Sequence, residues 1–149
     1  MTHLSYAYNF QDAHRYVFTS LGKARIIKAV DFTPTTIPNL YSLSFGDLQP
    51  DGTVDDISIS NNGDILKVLS TVVQIAMDFL NYNPAFKLVF TGSTDERTKL
   101  YARILKMYEA GFRKSFTISA LIATEHFYEE VDFNPQDAFK YSAFFLKKK

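Results

Sequence analysis

From Tyr16 to Ser60 the apolar residues recur every second position, the period of a half-buried β-strand. YVFTSL (Tyr16–Leu21) is rich in β-forming residues and stops at Gly22. RIIKAVDF (Arg25–Phe32) places Ile26, Val30 and Phe32 on one parity and Ile27 and Ala29 on the other. Gly22-Lys23 predicts the turn of a hairpin between them, and Thr33–Asn39, with two prolines, predicts a loop. LYSLSFGDL (Leu40–Leu48) alternates again, with Tyr41, Leu43 and Phe45 on one face and Ser42 and Ser44 on the other. In Pro50-Asp51-Gly52, Pro fixes φ at one turn position and Gly supplies positive φ at another. A strand Val54–Ser60 follows, with Ile57 and Ile59 directed to the core. This part of the chain therefore reads as an antiparallel meander. Met1–Arg15 has no clear period and reads as a short strand or an arm.

After Ser60 the period lengthens. Apolar residues at 65, 68, 69, 72, 73, 76, 79 and 80 predict a helix over Ile65–Leu80, and Leu66, Ile75 and Met77 widen its stripe. Lys67, Thr71, Gln74, Asp78 and Asn81 form the polar seam. KLVF (Lys87–Phe90) is short and apolar on both parities, which predicts a strand inside a sheet covered on both faces. In Thr91–Thr94, Ser93 as N-cap with Glu96 three residues on predicts the start of a second helix. Leu100, Tyr101, Ile104, Leu105 and Tyr108 form its stripe, and Gly111 predicts its end. Two strands, Ser115–Ala123 and Phe139–Leu146, follow across a polar, acidic connection containing Pro135. The predicted fold is α/β, more fully an α+β mixed sheet: an N-terminal meander, then β-α-β-α-β-β, as one domain over 1–149. Val54–Ser60 and Lys87–Phe90, joined by a helix, are expected to be adjacent parallel strands.

Composition agrees with a packed core. The chain has 149 residues, 46% hydrophobic, with 14 Phe, 9 Tyr and no Trp. A domain of that size buries roughly 70% of the surface of its unfolded chain, enough to hold together without staples. Sixteen basic and 16 acidic side chains balance to zero net charge, so no global field draws in nucleic acid or an anionic membrane. With no cysteine there is no disulfide and no thiolate metal site. His3, His14 and His126 share no ligand spacing, so no metal is expected. Met1–Arg15 lacks the apolar stretch of a signal peptide, and no run of 18 apolar residues is seen, so the expectation is a cytoplasmic protein without a membrane segment.

No nucleophile elbow, Walker loop or dinucleotide fingerprint is present. The candidate site is the pair of strand-to-helix junctions, Asn61, Asn62, Gly63, Asp64 and Lys67 in the first, and Gly92, Ser93, Thr94 and Arg97 in the second. If the preceding strands are parallel neighbours, both junctions open at the same sheet end, where helix amides face a ligand. Equally, Asn, Gly, Ser and Thr end strands and cap helices without any ligand. Arg97 shares the inward stripe of the second helix, one turn from its start. A guanidinium there needs a partner: Asp64 or Asp55 in an ion pair, or an anionic group of a ligand. Tyr101 is the one weak catalytic candidate, although Tyr101 and Tyr108 also suit a core.

SNNGDILKVLSTV and FTGSTDERTKLYARIL resemble an uncharacterised bacterial family of about this length, over most of the chain from YVFTSLGKARIIKAVDF onward. That resemblance implies fold boundaries and no assigned activity. The strand and helix order after the meander also resembles the GNAT acyltransferase superfamily. Thr94-x-x-Arg97-x-x-Leu100-Tyr101 lies where that superfamily often shows Asn-x-x-Ala-x-x-Leu-Tyr, and Gly111-Phe112 is similar to its terminal Gly-Phe. The resemblance implies a GNAT-like domain, acetyl-CoA with its pyrophosphate on a helix N-terminus, and Tyr101 as general acid. In place of the superfamily's two spaced glycines with a basic or Gln residue, NNGD carries one glycine and an acid. Two functions follow: an acyl-CoA-dependent N-acetyltransferase, or a non-catalytic interaction or regulatory module binding a small molecule or protein. Phe127, Tyr128, Phe133, Phe139, Tyr141, Phe144 and Phe145, crowded near the end of the chain, also suggest a homodimer.

Overall fold

The computed structural model describes residues 5–12, 14–55, 62–91 and 94–149. Among the described residues nine strands form a mixed sheet accompanied by two α-helices, an α/β architecture rich in strand. By contacts the chain divides into two compact units, Met1–Thr33 with Leu43–Phe79, and Pro34–Ser42 with Leu80–Lys149.

The first unit holds the meander. Strands β1 (Tyr8–Asp12), β2 (Arg15–Leu21) and β3 (Arg25–Pro34, of which Thr33 is the last residue in this unit) pair antiparallel in sequence order. The alternation is realised directly: Tyr16, Phe18 and Ser20 of β2 are buried while Val17 and Thr19 are only half-buried. Strand β4 (Leu40–Leu48) contributes buried Leu43 and Phe45 to this unit, and its far end pairs with β5 (Val54–Asp55). The strand expected over Val54–Ser60 lies beyond Asp55 outside the described residues. Helix α1 (Ile65–Tyr82) buries Val68, Leu69, Val72, Val73, Ile75, Ala76 and Phe79. Phe79 stacks on Phe32 of β3 with ring centroids 3.9 Å apart. By length and hydropathy α1 alone among the described helices could cross a bilayer, but half of it is buried in the structure, the packing of a core helix.

Among the described residues Lys28 is the charged residue in that core. Its parity puts it on the buried side of β3, where its ammonium bonds the Asp47 carboxylate of β4. Burying a lysine is tolerable only with such a partner.

The second unit orders its strands β4, β6 (Lys87–Phe90), β9 (Ala143–Lys148), β7 (Phe116–Ala123), β8 (Tyr128–Asp132). Leu40–Ser42 of β4 runs parallel to β6, and β9 pairs β6 antiparallel on its other side. Both edges of β6 are thereby taken, which corrects the expected parallel pairing of Val54–Ser60 with Lys87–Phe90. The parallel partner is one strand earlier in the chain. Helix α2 (Asp95–Phe112) buries Tyr101, Ala102, Ile104, Leu105 and Phe112, and Tyr101 meets Phe90 at 5.1 Å. Leu88 and Phe90 are buried whereas Lys87 and Val89 are half-buried, so β6 is covered fully on one face only.

Three boundaries also differ. Gly111 lies inside α2, which ends at Phe112 with Arg113 as a right-handed cap, so no left-handed glycine is required there. The strand expected over Phe139–Leu146 begins at Ala143. A 3-10 segment, Pro135–Lys140, precedes it, started by the Asn134 side chain accepting from the Gln136 amide. The acidic connection itself contains β8, an edge strand whose charged residues hide the usual alternation. Of the C-terminal aromatics, Phe133, Tyr141 and Phe144 are buried together, and Phe127 and Tyr128 are exposed.

Candidate functional site

The two junctions fall in different compact units. At the first, Asn62 is buried and Gly63 turns the chain with φ +83° into α1. The Asn62 amide donates to Ser20 Oγ at 2.9 Å and to the Ala24 carbonyl at 2.8 Å, while its Oδ1 accepts from the Ala24 N–H at 2.7 Å. Its backbone carbonyl accepts from the Lys23 N–H at 2.8 Å. Asn62 therefore stitches the head of α1 to the β2–β3 turn. Gly22 sits against it, and a Cβ there would fall 1.7 Å from the Asn62 carbonyl oxygen.

Asp64 is the next residue inward. Its carbonyl takes the first helical bond, from the Val68 N–H at 3.0 Å. Its carboxylate accepts from the Tyr6 hydroxyl at 2.5 Å and from Ser20 Oγ at 2.6 Å. Tyr6 is held further by the Leu21 N–H donating to its hydroxyl at 3.0 Å and by its own N–H donating to Thr71 Oγ1 at 2.8 Å. Its ring stacks on Phe18 at 5.9 Å, and the Lys67 ammonium lies 4.3 Å over its face. Burial, then the Asp64 hydrogen bond, push the Tyr6 phenol above its ordinary pKa. Asn62, Asp64 and Lys67 are thus engaged with the chain's own residues. Asn61 lies outside the described residues.

The second junction lies in the other unit. Gly92 and Ser93 are outside the described residues. The N-cap of α2 is Thr94, extended at φ −135° and ψ 162°, its Oγ1 accepting from the Arg97 N–H at 3.2 Å. The cap expected at Ser93 is therefore one residue later, because Thr94 is the last residue with extended backbone. Asp95 and Glu96 give the first turn of α2 two exposed carboxylates, which suit its dipole. Arg97 is half-buried, close enough to Tyr101 to act on its ionisation. Tyr101 itself is 1% exposed. Burial drives its phenol far above the ordinary value, and the Arg97 charge offsets this only in part.

The chemistry open to these groups is narrow. A general acid has to touch its substrate, and the Tyr101 side chain is 1% exposed with its ring 5.1 Å from that of Phe90. A pyrophosphate on either helix start would meet a carboxylate, Asp64 at α1 or Asp95 and Glu96 at α2. Among the described residues no three His, Asp or Glu side chains gather as metal ligands. Tyr6, Ser20 and Ala24 were not foreseeable as partners of the first junction. Tyr6 lies in a stretch without periodicity, and Gly22 carried only the signal of a turn.

A family model matches residues 2–149, under the description of a family of unknown function, DUF6934. The chain belongs to that family. The match spans both compact units and both junctions, and the family carries no assigned activity to transfer to them. No curated protein and no solved structure matches the chain. The GNAT resemblance thus rests on the sequence pattern alone.

Proposed function

We propose that this member of the DUF6934 family is a non-catalytic interaction module. The observation that carries the reading is the Asp64 carboxylate at the head of α1, already bonded by Tyr6 and Ser20. A helix start used for an acyl-CoA pyrophosphate keeps its amides open and its surroundings neutral or basic. Here the corner is acidic and filled by an aromatic ring of the same chain. The burial of Tyr101 supports the same reading, since it removes the proposed proton donor from contact. Each unit offers its own candidate contact for a partner: Lys67, exposed on α1, in the first, and Arg97, half-buried on α2, in the second.

Calorimetric titration with acetyl-CoA tests the proposal. No saturable heat up to millimolar nucleotide is expected, whereas saturable binding overturns it in favour of the acyltransferase. In parallel, Lys67→Ala and Arg97→Ala should each retain the wild-type fold by circular dichroism while losing a partner that wild type holds. If both variants keep that partner, these contacts are wrong.

A further inference from the structure

The second unit carries a groove of about 490 Å³ on the face of its sheet that shows Lys87 and Phe145. That volume lies in the range of small-molecule sites, roughly 300–1,000 Å³. Leu40, Ala85, Pro38 and the Phe145 ring make the lining largely apolar, and Ile37 stands 58% exposed at its rim. The rim is fixed. Thr35 Oγ1 donates to the Leu40 carbonyl at 2.8 Å and accepts from the Ile37 N–H at 3.1 Å. Asn39 takes a left-handed φ of 64°, uncommon for a residue with a side chain, and its carbonyl accepts from the Lys87 N–H at 2.8 Å.

The charges in the groove do not balance. Lys87 and Lys147 are direct cross-strand partners on β6 and β9, and both line it. Like charges so placed destabilise a sheet. Glu130 answers one of them, holding the Lys87 ammonium at 2.7 Å over the Phe145 ring. Among the described residues the exposed Lys147 ammonium has no carboxylate partner. Among the described residues of the lining, two ammonium groups and one carboxylate leave a single positive charge beside an apolar floor.

We propose that this groove binds a small monocarboxylate with an apolar body. The body lies on Leu40, Ala85 and Phe145 beneath Ile37, and the carboxylate ion-pairs with Lys147. Its negative charge completes the neutralisation that Glu130 begins. The groove shares no residue with either junction and does not depend on the proposed interaction function.

Decanoate is the probe, titrated into the ¹⁵N-labelled full chain, with decylamine as the cationic control of equal length. Decanoate should bind saturably, shifting amides of residues 37–40, 85–87 and 145–147, while decylamine at the same concentrations does not. Lys147→Gln should weaken decanoate at least tenfold. Ile37→Ser, at an exposed position, should weaken it without changing Tm. Equal binding of the two probes, shifts confined to other residues, or full affinity in Lys147→Gln each overturns the proposal.

Discussion

A Cβ placed on Gly22 would stand 1.7 Å from the backbone oxygen of Asn62, far inside any van der Waals contact. The obstacle is main chain that also accepts the Lys23 N–H and belongs to the buried Asn62. It cannot rotate away as a side-chain tip would. Gly22→Ala is therefore expected to cost about 2–3 kcal/mol, the upper range for overpacking, and to lower the chemical-denaturation midpoint with little change in slope. A midpoint equal to wild type would mean that the α1 head is not seated on the β2–β3 turn.

Much of this arrangement was legible in advance and its key part was not. Strands β2, β3 and β4 were plain because each has one buried face and one freer face, so period two survives in the residue types. Both helices were plain for the corresponding reason at 3.6 residues. Strand β8, YEEVD, was hidden because it is an edge strand with both faces largely exposed. The partner of β6 was hidden because no residue of KLVF records which strand lies beside it, and the assumption that it was the last strand before α1 gave the wrong pair. At the site, the composition of Asn62 and Asp64 was equally suited to capping and to binding. The choice between them depends on Tyr6, 58 residues from Asp64, which no local pattern links to it.

The Lys28–Asp47 pair should show the asymmetry of a partly buried ion pair. Lys28 has 7% of its side chain exposed and Asp47 20%. Asp47→Ala leaves the ammonium in the core without its carboxylate and should cost about 3 kcal/mol in equilibrium unfolding. Replacing both, Lys28→Met with Asp47→Leu, should recover most of that loss. If the double variant is no better than Asp47→Ala alone, the pair contributes more than mutual neutralisation.

Alkaline stability should reflect the tyrosines. Tyr6, Tyr8 and Tyr101 all have phenols raised above the ordinary value, each with burial as the largest cause, followed by the Asp64 bond for Tyr6 and the Asp78 bond for Tyr8. Because the folded values exceed the unfolded ones, the contribution is complete below about pH 10 and is lost as pH climbs through the folded values. Above pH 10 the unfolded chain has released protons that the folded chain keeps, so the slope of stability against pH is negative. Absorbance at 295 nm should show a late tyrosinate phase coincident with the loss of tertiary circular dichroism. Ionisation of all nine tyrosines in one phase near pH 10 with the fold intact would contradict it.

The head of α1 as a lock made by the chain itself is tested most directly by a double-mutant cycle on Tyr6→Phe and Asp64→Ala, read by equilibrium unfolding. Because the hydroxyl and carboxylate are 2.5 Å apart, they should be coupled. The expected coupling is about 1 kcal/mol, with Asp64→Ala the costlier single change because Ser20 loses its acceptor too. Strictly additive losses, with no coupling between the two positions, would show that the corner is not closed by Tyr6 and would return it to consideration as a ligand site.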